Sequence, residues 1–211
     1  MITTEISRTG HPVLKKNGRL LASSMDPWRE ARAWAEKALT GVEPNETIFV
    51  LGLACGYHVL AIRALAENQP VLVIERDAEL ARAATELTPD LLKCKNSVEI
   101  VVEENWAKLI EDASFRDRLC GIYRVATHGA SFQAEPEYFA AVEKLLNGRD
   151  RLSFLLQLKT RPELAALLDP EAILAIQNEA ISVKTLEKLF QPQAQGSRER
   201  RLWRVLEELV L

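Results

Sequence analysis

The chain is short of cysteine: Cys55, Cys94 and Cys120 are its only three, far apart and never spaced as C-x-x-C. That argues against both a disulfide framework and a structural zinc site, so reduced thiols are expected. It also lacks a charge excess. Lysine and arginine total 27 against 30 acids, a formal charge of -3 with both signs interspersed, so no broad basic field exists to draw nucleic acid. No apolar run is long enough to span a bilayer, and Met1-Ile-Thr-Thr-Glu5 lacks the basic and then apolar pattern of a secretory leader. The expectation is a cytoplasmic chain without a membrane partner. No internal repeat or extended low-complexity segment occurs.

What the chain does have is apolar content: 47% of its 211 residues, enough for one sizeable core. Asn17-Gly18, flanked by Val13 to Lys16 and Arg19 to Ala22, supplies positive φ for a tight turn and predicts an N-terminal hairpin. Asp26-Pro27 places an N-cap carboxylate before a proline at the first helical position. Trp28, Ala31, Trp34, Ala35 and Ala38 follow at helical spacing, and Gly41 is the stop. Trp28 and Trp34 are expected in the core.

Thr47 to Leu51 and Val71 to Ile74 are short continuous apolar runs, the pattern of strands buried on both faces of a parallel sheet. Between them lie a glycine loop and a helical stretch from Tyr57 to Asn68, and Asp77 caps the next helix, which completes a βαβ unit. Val98 to Val102 predicts a third strand, Trp106 to Ile110 a short helix and Cys120 to Val125 a fourth strand. Pro136 opens a helix through Leu146 that Gly148 closes. Repeated alternation of this kind predicts an α/β fold, a Rossmann-like, methyltransferase-type and mostly parallel sheet with helices on both faces. Residues 1–150 form that domain with its hairpin, and residues 151–211 are expected as a helical extension, with Leu152 to Leu158 readable as strand or helix.

Where a buried strand turns into a helix, glycines let the backbone approach a ligand, and the first helical amides favour an electron-rich group. Gly52, Ala54, Gly56 and Tyr57 are therefore candidate ligand-contacting positions. Their spacing is not the dinucleotide fingerprint G-x-G-x-x-G, because Tyr57 stands where its last glycine belongs. Glu75 ends the second strand about 20 residues on, where nucleotide-binding α/β proteins place an acid against the ribose hydroxyls.

The layout resembles class I S-adenosylmethionine-dependent methyltransferases, with Val50 at the family's acid position and Ala54 at its middle glycine. The fourth strand ends Arg124-Val-Ala-Thr-His128 rather than in the Asn/Asp-Pro-Pro-Tyr run of amino-methylating members. A second resemblance rests on Ser23-Ser-Met-Asp26-Pro27-Trp-Arg-Glu30-Ala31, Val50-Leu-Gly52-Leu-Ala-Cys-Gly56-Tyr57-His58 and Val73-Ile-Glu75. These runs are similar to the N-terminal domain of the motility accessory factor (Maf) family, where Ser-x-Tyr-Asp-Pro precedes a helix and Gly-Leu-Gly-x-Gly-Tyr-His follows the first strand. Met25 replaces that tyrosine and Ala54 that glycine. The resemblance covers about residues 10–130. The family resembles bacterial glycosyltransferases acting on flagellin, with catalysis in a central domain that a chain of 211 residues is not expected to hold. It implies a stand-alone relative of the N-terminal part, with no glycosyl transfer carried over.

His58, in the first turn after the loop, is the leading candidate for chemistry: the positive helix end disfavours its protonation and leaves a neutral imidazole. His128 lies at the carboxyl edge, where such sheets bind ligands. Tyr57 is expected as a lid over the loop, and Glu103 and Glu104 as solvated acids. His11 belongs to the hairpin, and Arg198, Arg200, Arg201 and Arg204 to a solvated face. The expected function is a module binding a nucleotide-containing small molecule, related to flagellar or surface glycosylation. The alternatives are a methyltransferase and a helical partner-binding protein. S-adenosylmethionine and a nucleotide are the two ligand classes indicated, no metal is expected, and a protein partner or homo-oligomer is left open.

Overall fold

A computed structural model of the chain describes residues 1–94 and 97–147; the expected extension over 151–211, with its arginine cluster, lies outside the described residues. Met1–Val142 form one compact unit, and a second begins at Glu143.

The unit opens with a small antiparallel sheet in the order β1 (Ile2–Ile6), β2 (Pro12–Lys16), β3 (Arg19–Leu20). Asn17 (φ 52°) and Gly18 (φ 81°) make the tight turn that their dipeptide predicts. The strand β1 carries no clear alternation, since four of its five residues are exposed, and sequence reasoning misses it. Helix α1 (Pro27–Ala38) begins where Asp26 accepts a hydrogen bond from the Arg29 amide.

The main sheet has four parallel strands, β4 (Thr47–Leu51), β5 (Val71–Glu75), β6 (Val98–Val102) and β7 (Tyr123–Thr127), in the order β6-β5-β4-β7. Every residue of β4 and β5 is buried, as their unbroken apolar runs require. In β4, Ile48 and Val50 join a core cluster with Ala31 and Ala35 of α1 and Val59 and Ile62 of α2 (Tyr57–Leu65). Phe49 meets Phe115 instead, the ring centroids 5.6 Å apart. Helix α3 (Ala78–Leu87), capped by Asp77, joins β5 to β6 through a 3-10 turn at Pro89–Cys94.

Between β6 and β7 the short helix expected around Trp106 is present as a 3-10 helix over Trp106–Glu111, whereas the fourth strand starts at Tyr123, not at Cys120. The reason is α4 (Ala113–Cys120), which Asp112 caps by accepting from the Phe115 amide; this helix takes up Cys120 and lets the chain turn at Gly121. Helix α5 (Gly129–Ala134) follows β7, and Pro136 opens α6 (Pro136–Asn147) as its sequence predicts.

The chain runs outward from β4 through β5 to β6, then crosses back to add β7 on the other side of β4. The carboxyl ends of β4 and β7 therefore flank the point where strand order reverses, the place where open α/β sheets leave a crevice.

Candidate functional site

Leu51 of β4 leads into a loop that reverses direction with three positive φ angles: Gly52 at 95°, Ala54 at 47° and Gly56 at 80°. Glycine is required at both ends of it. A Cβ on Gly52 would collide with the Cβ and Oγ of Ser131 in α5, and one on Gly56 would stand 2.6 Å from both Leu91 and Thr88. Protein atoms thus pack both flanks of the loop, and Leu53, Ala54 and Cys55 are buried.

Sequence spacing pairs Glu75 with this loop, and the structure brings the two together. Glu75 Oε2 accepts from the Leu53 amide at 2.9 Å, while Oε1 accepts from the amides of Arg76 and Asp77 at 2.9 and 3.1 Å. The residue is 1% exposed. Burial pushes its carboxyl pKa up, against the three amides and the nearby Lys16 charge. Its acceptors are directed at main chain, which shapes the loop.

Tyr57 is also buried. Its hydroxyl donates to the Pro12 carbonyl at 2.8 Å, and burial pushes the phenol up to about 12. It ties the hairpin to the loop, a different task from the expected lid. Next to it, Cys55 Sγ accepts from the Leu14 amide at 3.2 Å, and burial pushes this thiol up to about 12 as well, which makes it a poor nucleophile. The two candidate histidines come together at the strand ends. Their rings stack with centroids 4.1 Å apart and planes within 13°. His58 Nε2 lies 3.0 Å from the Gly52 carbonyl, and His128 caps α5 through Nδ1. Both pKa values fall because burial disfavours charge; His58 is lowered further by His128, and His128 falls to about 4.

A cavity of about 220 Å³ opens beside this pair. Pro27, Glu30, Ala31 and Trp34 of α1 form one wall, Cys55, Tyr57 and His58 a second, and His128, Gly129 and Ala130 a third, with Leu21 and Ala22 at the hairpin side. Trp34 is not the simple core residue that its spacing predicts: its ring meets His58 edge-on at 4.9 Å, and its Nε1 donates to the Thr127 carbonyl at 3.2 Å. Trp28 is 37% exposed and packs edge-on against Tyr57. Among the described residues no lysine or arginine lines this cavity, and Glu30 is its one charged group.

Gly52, Gly56 and Glu75 do not line the cavity, whereas Tyr57, His58 and His128 do. Glu103 turns back on its own loop, Oε1 accepting from the Asn105 amide at 2.8 Å. His11 meets Trp28 and Tyr57 edge-on, both at 6.4 Å. Among the described residues no helix is long and apolar enough to cross a membrane, and no group of acids, cysteines and histidines is arranged to hold a metal.

No family profile and no curated protein matches the chain. Among solved structures it is similar to the MAf glycosyltransferase from Magnetospirillum magneticum AMB-1, at 12% identity and a TM-score of 0.44 over 69% of this chain. The chain spans 31% of that protein's length.

Proposed function

We propose that this chain is a Rossmann-like module that binds a nucleotide-containing small molecule at the carboxyl edge of its parallel sheet, beside flagellar or surface glycosylation. One observation carries the reading: a cavity lies beside the point where the strand order reverses, lined by Cys55, Tyr57 and His58, which follow β4, and by His128, Gly129 and Ala130, which follow β7. Tyr57 is the expected ligand contact from the loop. Gly52, Ala54, Gly56 and Glu75 act by holding the loop in shape, since their own surfaces meet protein.

The methyltransferase alternative would place S-adenosylmethionine at the same edge, with His58 or His128 near the reacting group. Both imidazoles line the cavity, which favours that alternative; their lowered pKa values make them weak bases, suited to positioning a reacting group rather than to taking its proton. The unreactive environment of Cys55 leaves thiol chemistry out of both.

Calorimetric titration with CMP, S-adenosylmethionine and S-adenosylhomocysteine tests the proposal. Saturable heat from at least one is expected; heat from the adenosyl compounds alone favours the methyltransferase alternative. No heat from any of them removes the proposal.

A further inference from the structure

The deeper question is what part of a ligand the histidine pair would meet, and hydrogen-bond logic fixes which ring nitrogens are in use. A carbonyl oxygen only accepts, so His58 Nε2, 3.0 Å from the Gly52 oxygen, carries the proton and Nδ1 is a bare acceptor. His128 Nδ1 accepts from the Ser131 amide at 3.4 Å and lies 3.0 Å from the Ser131 hydroxyl, so its proton sits on Nε2. His58 Nδ1 and His128 Nε2 make no hydrogen bond to any described residue. Neither is among the fully buried unpartnered atoms, although the residues are only 3% and 8% exposed. An acceptor and a donor are thus left over on two stacked rings that share the wall of one cavity.

We propose that the His58–His128 pair hydrogen-bonds the edge of a planar heterocycle that offers a donor and an acceptor on neighbouring atoms, as a nucleobase does. The inference rests on the proposed small-molecule function and names the part of the ligand that enters. Size agrees: about 220 Å³ is below the roughly 300–1,000 Å³ of sites that enclose a whole drug-sized molecule, and suits a single ring system. Chemistry agrees as well. With Glu30 the one charged lining residue and both imidazoles neutral, the cavity offers no cation to a phosphate, so phosphates stay outside. Trp34, Leu21 and Ala31 give the apolar and aromatic walls that a flat ring needs.

The test is nuclear magnetic resonance of the full chain with 15N-labelled histidine, titrated with adenine, cytosine and uracil as free bases. At least one base should shift both His58 Nδ1 and His128 Nε2 saturably. His58→Phe and His128→Phe, which keep a ring in the stack, should each weaken that base by about tenfold or more, the order of one lost hydrogen bond. Ring nitrogens that no base moves overturn the inference, as does undiminished binding to both variants. If the variants do not fold, the wild-type shifts decide alone. Heat from CMP or S-adenosylmethionine with unmoved ring nitrogens sinks this inference and leaves the proposed function standing. Nitrogens that move with free bases, while no nucleotide binds, do the reverse.

Discussion

At the end of β5 the Glu75 carboxylate accepts from three main-chain amides and is almost wholly enclosed. Its position in the sequence was legible, because a strand end about 20 residues after a glycine loop is where an acid meets that loop. Its partners were not legible, since spacing cannot tell a ribose hydroxyl from a backbone N–H. Glu75→Ala should leave three amides without their acceptor and lower stability by about 2–3 kcal/mol in urea denaturation, within the cost of buried unsatisfied donors. An unchanged midpoint would remove the structural role. The histidines give a second residue-scale prediction. Both have folded pKa values below the ordinary 6.5, His128 near 4. The unfolded chain therefore takes up protons first as pH falls, so the stability their neutral forms supply is present above about 6.5 and lost toward pH 4. Unfolding free energy should fall across that window, by about 1.4 kcal/mol per pH unit for each histidine at most, with melting temperature falling in step, and His128→Phe should flatten the slope. An equal slope in that variant would refute the assignment.

Elements were legible in proportion to how much of their burial shows in a short window. The strands β4 and β5 are buried on both faces and read as unbroken apolar runs, while Asp26-Pro27 and Asp77 announce α1 and α3 by capping chemistry. By contrast, β1 is mostly exposed, and α4 carries only a weak apolar stripe over Ala113–Cys120, so neither stands out. The hairpin is fastened to the main sheet's surroundings by Lys16, whose ammonium lies 2.7 Å from Asp77 and 2.8 Å from Glu135, with Arg76 also on Glu135. Burial works against charge on Lys16, yet the two carboxylates hold its pKa above the ordinary value. Lys16→Met should cost about 1 kcal/mol, allowing for the partial exposure of both acids, and should speed amide exchange in β1 to β3 more than in β4 and β5. Uniform acceleration would contradict this fastening role. Packing between loop and α5 makes a parallel prediction. Gly52→Ala forces a side chain into left-handed backbone and into Ser131, and should lower stability by about 1–3 kcal/mol, read by thermal melting.

For the Met1–Val142 unit as a whole, the proposed site follows from topology. Strand order β6-β5-β4-β7 brings the end of β4 beside the end of β7, so the loop after one and the helix after the other enclose a common space. No local pattern contains that juxtaposition: Trp34 and Thr127, which hydrogen-bond across it, are 93 positions apart. The sequence could name His58 and His128 separately, but only strand order stacks them. Backbone chemical-shift mapping during titration with CMP and S-adenosylmethionine tests the central claim most directly. The account predicts that the amides of Cys55, Tyr57, His58, Gly129 and Ala130 move together and saturate with one affinity. Shifts absent from this set, or confined to another part of the chain, would contradict it.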